Sequence, residues 1–272
     1  MNNLIKRTLF GALYVGLVVA SILVNPIFFG VLFLFITVYA IYEYHHLVAS
    51  SKMVSILSMV LGGILFANVW TLHFYQSLPL RGIGYMAAGY SLLLMIALML
   101  PMKQGLETTP SAWAHILISQ IMIAVPFAFM NGILDNSKYL LLALFITIWV
   151  NDTGAYIVGC STAKLPKGNH KMSPCISPNK SWEGLFGGFV FALIAGFVFY
   201  KVGWMPCLWK ALVMCFAIAV AGTFGDLAES ALKRSIGVKD SGRFLPGHGG
   251  ALDRFDSLLL AAPVLYMTLL LL

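Results

Sequence analysis

The residues of this chain best suited to chemistry crowd into its last third. In "GDLAESALKRS" (225–235), Asp226, Glu229, Ser230 and Lys233 are spaced i, i+3, i+4, i+7. On a helix that spacing makes one polar stripe on an otherwise apolar surface. "GHGGALDRFDS" (247–257) adds His248, Asp253, Arg254 and Asp256 to a glycine-rich turn at Gly249 and Gly250. Glycines there allow positive φ and close backbone approach, and successive backbone N–H groups can cradle an anion. Two more polar pieces lie upstream: "WVNDTGAYIVG" (149–159), with Asn151 and Asp152, and "ISPNKSWEG" (176–184), with Ser177, Lys180 and Ser181. Carboxylates, hydroxyls, cations and flexible glycines together suit a divalent metal with phosphate ligands. Mg²⁺ prefers carboxylate and phosphate oxygens, and phosphoryl-type transfer needs positioning and charge neutralisation more than covalent chemistry. No GxxxxGK[ST] loop is present, so the pattern is not that of a P-loop enzyme.

Each piece also has a plainer reading. The 226–233 stripe could be a self-neutralising salt-bridged face in water. Asp253 and Asp256, spaced i, i+3 at the start of the last helix, could simply complement its dipole. Ser181 followed by Glu183 and an apolar run reads as a helix start, and Trp182 suits a membrane interface. Asp152 could pair with a lysine. Cys160, His170 and Cys175 fit no standard zinc spacing.

The elements that must position these residues are membrane helices. The chain has 272 residues, 60% of them hydrophobic and 10% charged, and a mean hydropathy of +0.89. A soluble domain carries roughly 25% charged residues. Apolar runs near the ~20 residues needed to cross a bilayer recur along the chain, which favours helices over a β-barrel. We expect an all-α polytopic protein with about nine spans, near 8–24, 27–44, 54–74, 83–101, 112–133, 139–159, 183–200, 208–227 and 256–272. Lys6 and Arg7 before the first run resemble a signal peptide, but no A-x-A site follows, so that run is read as a retained helix. With a cytoplasmic N-terminus, all but four of the 17 lysines and arginines fall on the inner side, the exceptions being Arg81, Lys138, Lys201 and Lys210. Nine spans then send the C-terminus outside, and an eight-span arrangement with one weak span re-entrant is the alternative. The same assignment puts 160–182 and 228–255 together on the cytoplasmic face. The chain reads as a single membrane domain, 1–272, with 1–138 free of motifs and 139–272 carrying the site. The formal charge of +7 is assigned to positive-inside bias, anionic lipid and bound phosphate, not to nucleic acid.

Several segments in this region match a known pattern. Ser230-Ala-Leu-Lys233-Arg234, Lys239-Asp240-Ser-Gly242, Pro246-Gly-His248-Gly249-Gly250 and Asp253-Arg254-Phe-Asp256 follow one another without a gap over 230–256. This run resembles the signature of the phosphatidate cytidylyltransferase (CDP-diacylglycerol synthase) family. "ISPNKSWEG" resembles that family's upstream "SPKKTWEG". Ser181 for Thr keeps the hydroxyl, and Asn179 stands where the family carries a lysine. The resemblance implies condensation of CTP with phosphatidic acid to CDP-diacylglycerol and pyrophosphate, with Mg²⁺ and often a monovalent cation such as K⁺, in a homodimer. It also implies an integral protein of the bacterial inner membrane with a cytoplasmic active site. It assigns the metal-binding aspartates to Asp226 and Asp253, with Asp256 close by; Lys233 joins them as a catalytic candidate because its cation can meet phosphate. Ser177, Lys180, Ser181, Ser230, Arg234, Lys239, His248, Gly249, Gly250 and Arg254 are the expected substrate contacts. A CTP-dependent lipid kinase and a transporter are the rival readings. The first would release CDP instead of pyrophosphate. The second would favour interrupted helices in both halves, whereas the polar residues crowd into one.

Overall fold

The computed structural model describes residues 3–74, 79–104, 109–166, 168–242, 244 and 249–272. His248 and Arg243 therefore lie outside the described residues. The fold is all-α, with one small hairpin. Eight of the described helical stretches are long and apolar enough to cross a membrane, and a shorter apolar stretch, Thr8–Val24, occupies most of the first helix. Helices dominate because the bilayer core offers no water to backbone N–H and C=O groups, so each span must satisfy them internally.

The helices group into two compact units. The first comprises Met1–Asp135 and Asp240–Arg254. Its helices are α1 (Asn3–Val24), α2 (Pro26–Leu47), α3 (Lys52–Phe74), α4 (Leu80–Met99), α5 (Thr109–Ser119) and α6 (Val125–Asn136). A π-turn at Gln120–Ala124 joins α5 to α6, so the expected span at 112–133 is a single irregular rod. Gln120 within it donates from Nε2 to the Ser58 carbonyl (3.0 Å) and accepts from the Tyr90 hydroxyl (3.3 Å). Phe29, Phe33 and Phe127 stack into the buried centre, with ring centroids 4.4 and 6.2 Å apart in turn.

The second unit comprises Asn136–Lys239 and Phe255–Leu272. It holds α7 (Lys138–Thr162), strands β1 (Lys171–Ser173) and β2 (Ser177–Ser181), α8 (Trp182–Lys201), α9 (Leu208–Ser235) and α11 (Leu258–Leu271). The chain passes from the first unit into the second along a single turn, α10 (Leu252–Phe255). Lipid tails are as apolar as leucine, so helices here associate through close van der Waals packing and small residues. α8 shows how. A Cβ at Gly184 would lie 2.8 Å from the Ala155 carbonyl, one at Gly188 2.9 Å from the Asn151 carbonyl, and one at Gly196 3.0 Å from the Ala211 carbonyl. Glycines four residues apart thus seat α8 directly on the α7 backbone, and a third does the same on α9.

The antiparallel β1–β2 hairpin was not anticipated. It pairs Lys171 with Ser181 and Ser173 with Ser177. Ser181 ends it and caps α8, its hydroxyl accepting from the Gly184 N–H at 3.1 Å. Ser181→Ala should destabilise the second unit by about 1 kcal/mol through loss of this cap, read as a lowered thermal midpoint in detergent; an unchanged midpoint would remove the capping role.

Candidate active site

α9 runs to Ser235, eight residues beyond the end expected at 227, and its polar stripe forms as the spacing requires. The Ser230 hydroxyl donates to Asp226 Oδ1 at 3.2 Å, and Lys233 Nζ pairs with Glu229 at 2.5 Å, one turn apart. That pair is buried, with Glu229 5% and Lys233 8% exposed, so the stripe is not a solvated face. Asp226 Oδ2 pairs with Lys180 Nζ at 2.7 Å. A lysine does neutralise an aspartate here, but the aspartate is Asp226, from another helix than Asp152.

Asp256 reaches the stripe by a backbone route. A Cβ at Gly225 would lie 2.6 Å from the Asp256 carbonyl and 3.2 Å from that of Ser257. Only a glycine lets the chain between α10 and α11 cross α9 beside Asp226. Asp256 lies in that turn, not on a helix it shares with Asp253, and its Oδ1 accepts from the Ser257 N–H at 2.6 Å. Asp152 and Asp256 both interact electrostatically with Asp226, and Asp256 also with Glu229. Four carboxylates thus share one neighbourhood with two ammonium groups, Lys180 and Lys233. Among the described residues these carboxylates outnumber the two ammonium groups, in a place where buried charge is costly.

The hairpin brings further polar groups to the same neighbourhood. Lys180 and Ser181 end β2, and Ser177 begins it. Its base is tied down on three sides. Glu183 accepts from the His170 N–H (3.1 Å) and contacts His170 Nδ1 (2.6 Å). Asn169 donates to the Gly159 carbonyl at 2.6 Å. Arg234 donates from Nε to the Ile176 carbonyl (3.3 Å) and from Nη1 to the Val238 carbonyl (2.9 Å). Arg234, expected at a phosphate, therefore also ties α9 to the hairpin turn. A cleft of about 630 Å³ lies here, lined by Asn151, Asp152 and Asp226 together with Lys171, Ser177, Asn179, Lys180 and Ser181. Clefts of roughly 300–1,000 Å³ take small-molecule ligands. This one sets carboxylates against lysines, so a cation and an anion can bind side by side. Lys239 is exposed at the end of the unit.

In the first unit, Asp253 organises the glycine turn. Its Oδ2 accepts from the Ser241 N–H (2.8 Å), the Gly250 N–H (2.7 Å) and the Ser241 hydroxyl (3.0 Å). Gly249 takes φ +81°, the left-handed conformation its position in the turn demands. Arg254 is exposed, and its carbonyl accepts from the Tyr14 hydroxyl at 3.4 Å. The residue missed by the sequence reading is Glu43. It lies in α2, only 3% exposed, and its Oε2 accepts from the Leu252 N–H (3.0 Å) and lies 3.2 Å from the Ser241 hydroxyl.

Comparison with known proteins decides the family. A profile described as "Cytidylyltransferase family" matches residues 5–272. The chain belongs to the cytidylyltransferase family. Among its relatives are proteins named phosphatidate cytidylyltransferase from Staphylococcus haemolyticus and Staphylococcus aureus, each 40% identical over 158 residues, and one from Staphylococcus epidermidis at 39%. The matched stretch covers 58% of this chain and 59% of each relative, so the chain spans about three fifths of the length of these curated relatives.

For a cytidylyltransferase that uses a hard divalent cation, the donor set is right in kind. The carboxylates of Asp152, Asp226 and Asp256 offer only oxygen donors. Among the described residues, no three His, Cys, Asp or Glu side chains converge tightly enough to enclose an ion alone. Mg²⁺ is usually held by one or two carboxylates plus substrate phosphates and water, a pattern this open arrangement suits. Asp226 and Asp253, the two expected ligands, lie in different units: Asp226 is already paired with Lys180, and Asp253 holds the glycine turn.

Proposed function

We propose that the chain is a phosphatidate cytidylyltransferase, joining CTP to phosphatidic acid to give CDP-diacylglycerol and pyrophosphate. The observation that carries this reading is the cluster of carboxylates around Asp226, with Lys180 paired to it, lining a cleft in a protein built from membrane helices. The names of the relatives support it.

In this reaction a non-bridging oxygen of the lipid phosphate attacks the α-phosphorus of CTP. The bond from that phosphorus to the α,β-bridging oxygen breaks, and pyrophosphate leaves. The lipid phosphate is already largely ionised at pH 7, so no general base is required and His248 is assigned a phosphate hydrogen bond only. Two anions must meet, and repulsion between them is the main obstacle. Mg²⁺, when bound, would supply charge neutralisation on the triphosphate; Asp226 is its first proposed ligand, with Asp253, Asp256 and Asp152 as further candidates and K⁺ as a companion. Lys180, Lys233, Arg234, Lys239 and Arg254 are proposed to meet phosphate oxygens. Ser177, Ser181, Ser230 and the Gly249–Gly250 backbone offer neutral hydrogen bonds. The acyl chains stay in the bilayer and reach the cleft between helices. The same reading places the site at the cytoplasmic leaflet of a bacterial inner membrane, with the N-terminus inside and the C-terminus outside, in a homodimer.

The test is radiolabelled CTP with phosphatidic acid and the purified chain in detergent, with and without Mg²⁺. We expect labelled CDP-diacylglycerol and stoichiometric pyrophosphate, both dependent on Mg²⁺. Release of CDP with transfer of one phosphate would instead establish a lipid kinase, and no turnover of either kind would sink the proposal.

A further inference from the structure

We propose that Glu43 is a positioning residue for the active site: its carboxylate, carried by the motif-free helix α2, fixes Ser241, Gly242 and Gly250–Leu252 and thereby orients Asp253. The inference rests on the cytidylyltransferase reading above.

Glu43 is an isolated acid near the end of an apolar membrane helix, where an ionisable side chain is expensive and calls for a specific partner. Its partners lie 198 and 209 residues away, at Ser241 and Leu252. The loop is shaped around it. A Cβ at Gly250 would lie 2.5 Å from both Glu43 carboxylate oxygens, and one at Gly242 would lie 2.8 Å from Glu43 Cδ. Two signature glycines thus leave room for this carboxylate, while a hydroxyl and a backbone N–H bond to it. Glu43 Oε1 makes no hydrogen bond among the described residues, so Oε2 carries the attachment.

The groups that seat Glu43 are the ones that seat Asp253. The Ser241 hydroxyl lies 3.2 Å from Glu43 Oε2 and 3.0 Å from Asp253 Oδ2, and the Ser241 and Gly250 N–H groups both donate to that Asp253 oxygen. One hydroxyl proton serves two carboxylates, so displacing either shifts the other. A purely structural Glu43 would change how much protein folds. A positioning Glu43 changes how each folded molecule works.

The experiment uses the full chain in detergent as wild type, Glu43→Ala, Glu43→Gln, Ser241→Ala and the Glu43→Ala/Ser241→Ala double variant. Turnover is expressed per folded protein, together with the Mg²⁺ concentration for half-maximal rate and the rate of tryptic cleavage at Lys239 and Arg254, which flank the loop. Glu43→Ala should lower turnover roughly 10- to 100-fold and raise the Mg²⁺ requirement by about 10-fold, the usual scale for residues that orient a ligand. Cleavage should accelerate. Glu43→Gln keeps an oxygen for Leu252 N–H and Ser241 and should recover most of the loss. The double variant should be no worse than Glu43→Ala alone, because the two act as one unit. Wild-type turnover and Mg²⁺ dependence in folded Glu43→Ala would overturn the proposal, as would a loss in Glu43→Gln equal to that in Glu43→Ala. If Glu43→Ala does not fold, Ser241→Ala decides: an unchanged Mg²⁺ requirement overturns the proposal. A wild type that makes no CDP-diacylglycerol refutes the functional reading instead, and the cleavage rates of the variants then decide whether Glu43 holds the loop.

Discussion

Asp226→Asn is expected to cut CDP-diacylglycerol formation by about 100-fold or more while leaving a monodisperse, folded membrane protein. The substitution preserves size and keeps an oxygen for the Ser230 hydroxyl, which now donates to Oδ1 at 3.2 Å. It removes the charge that faces Lys180 at 2.7 Å. The cost should therefore fall on function. A preorganised group acting on developing charge is typically worth 10²–10³ in kcat, and Asp226 is the residue to which Asp152 and Asp256 are both coupled. The measurement is an initial rate with saturating CTP and Mg²⁺, alongside size-exclusion and thermal profiles. A rate within about threefold of wild type would remove Asp226 from any cation-binding role, far short of the loss expected. Asp253→Asn in the same assay tests the other aspartate that the sequence resemblance singles out.

Gly188→Val should be among the most damaging substitutions on the α7-facing side of α8. A Cβ there would lie 2.6 Å from the Asn151 side-chain oxygen and 2.9 Å from the Asn151 carbonyl. Backbone cannot step aside as a side-chain tip can, so α7 and α8 must separate. Overpacking of this kind costs about 1–3 kcal/mol. The functional loss should exceed what stability alone implies, because Asn151 and Asp152 line the cleft and a ~1 Å displacement of a reacting group can cost 10²-fold. Gly84→Val is the control: nothing lies within 4 Å of a Cβ at Gly84. Equal thermal midpoints for the two variants would mean that α8 does not sit on α7 as described.

What could be read from the sequence was whatever is local or periodic. The apolar runs announce the spans, and the i, i+3, i+4, i+7 spacing announces the stripe from Asp226 to Lys233. The end of α9 was misplaced because hydropathy stops at 227 while backbone hydrogen bonding does not. The β1–β2 hairpin escaped notice because it is short, polar and lacks apolar alternation. Long-range pairings were invisible in principle: Lys180 with Asp226, and Glu43 with Ser241 and Leu252, join positions that no local window contains. Glu43 carried one faint signal, a lone acid in an apolar helix.

The length of α9 has a consequence of its own. Its 28 residues extend about 42 Å at 1.5 Å each, against a hydrocarbon layer of about 30 Å. The excess of about 12 Å is roughly eight residues, the length of the stretch from Ala228 to Ser235 that carries Glu229, Ser230 and Lys233. A helix of this length outruns the hydrocarbon layer it would cross, and its charged last two turns are the part that only a polar environment can hold.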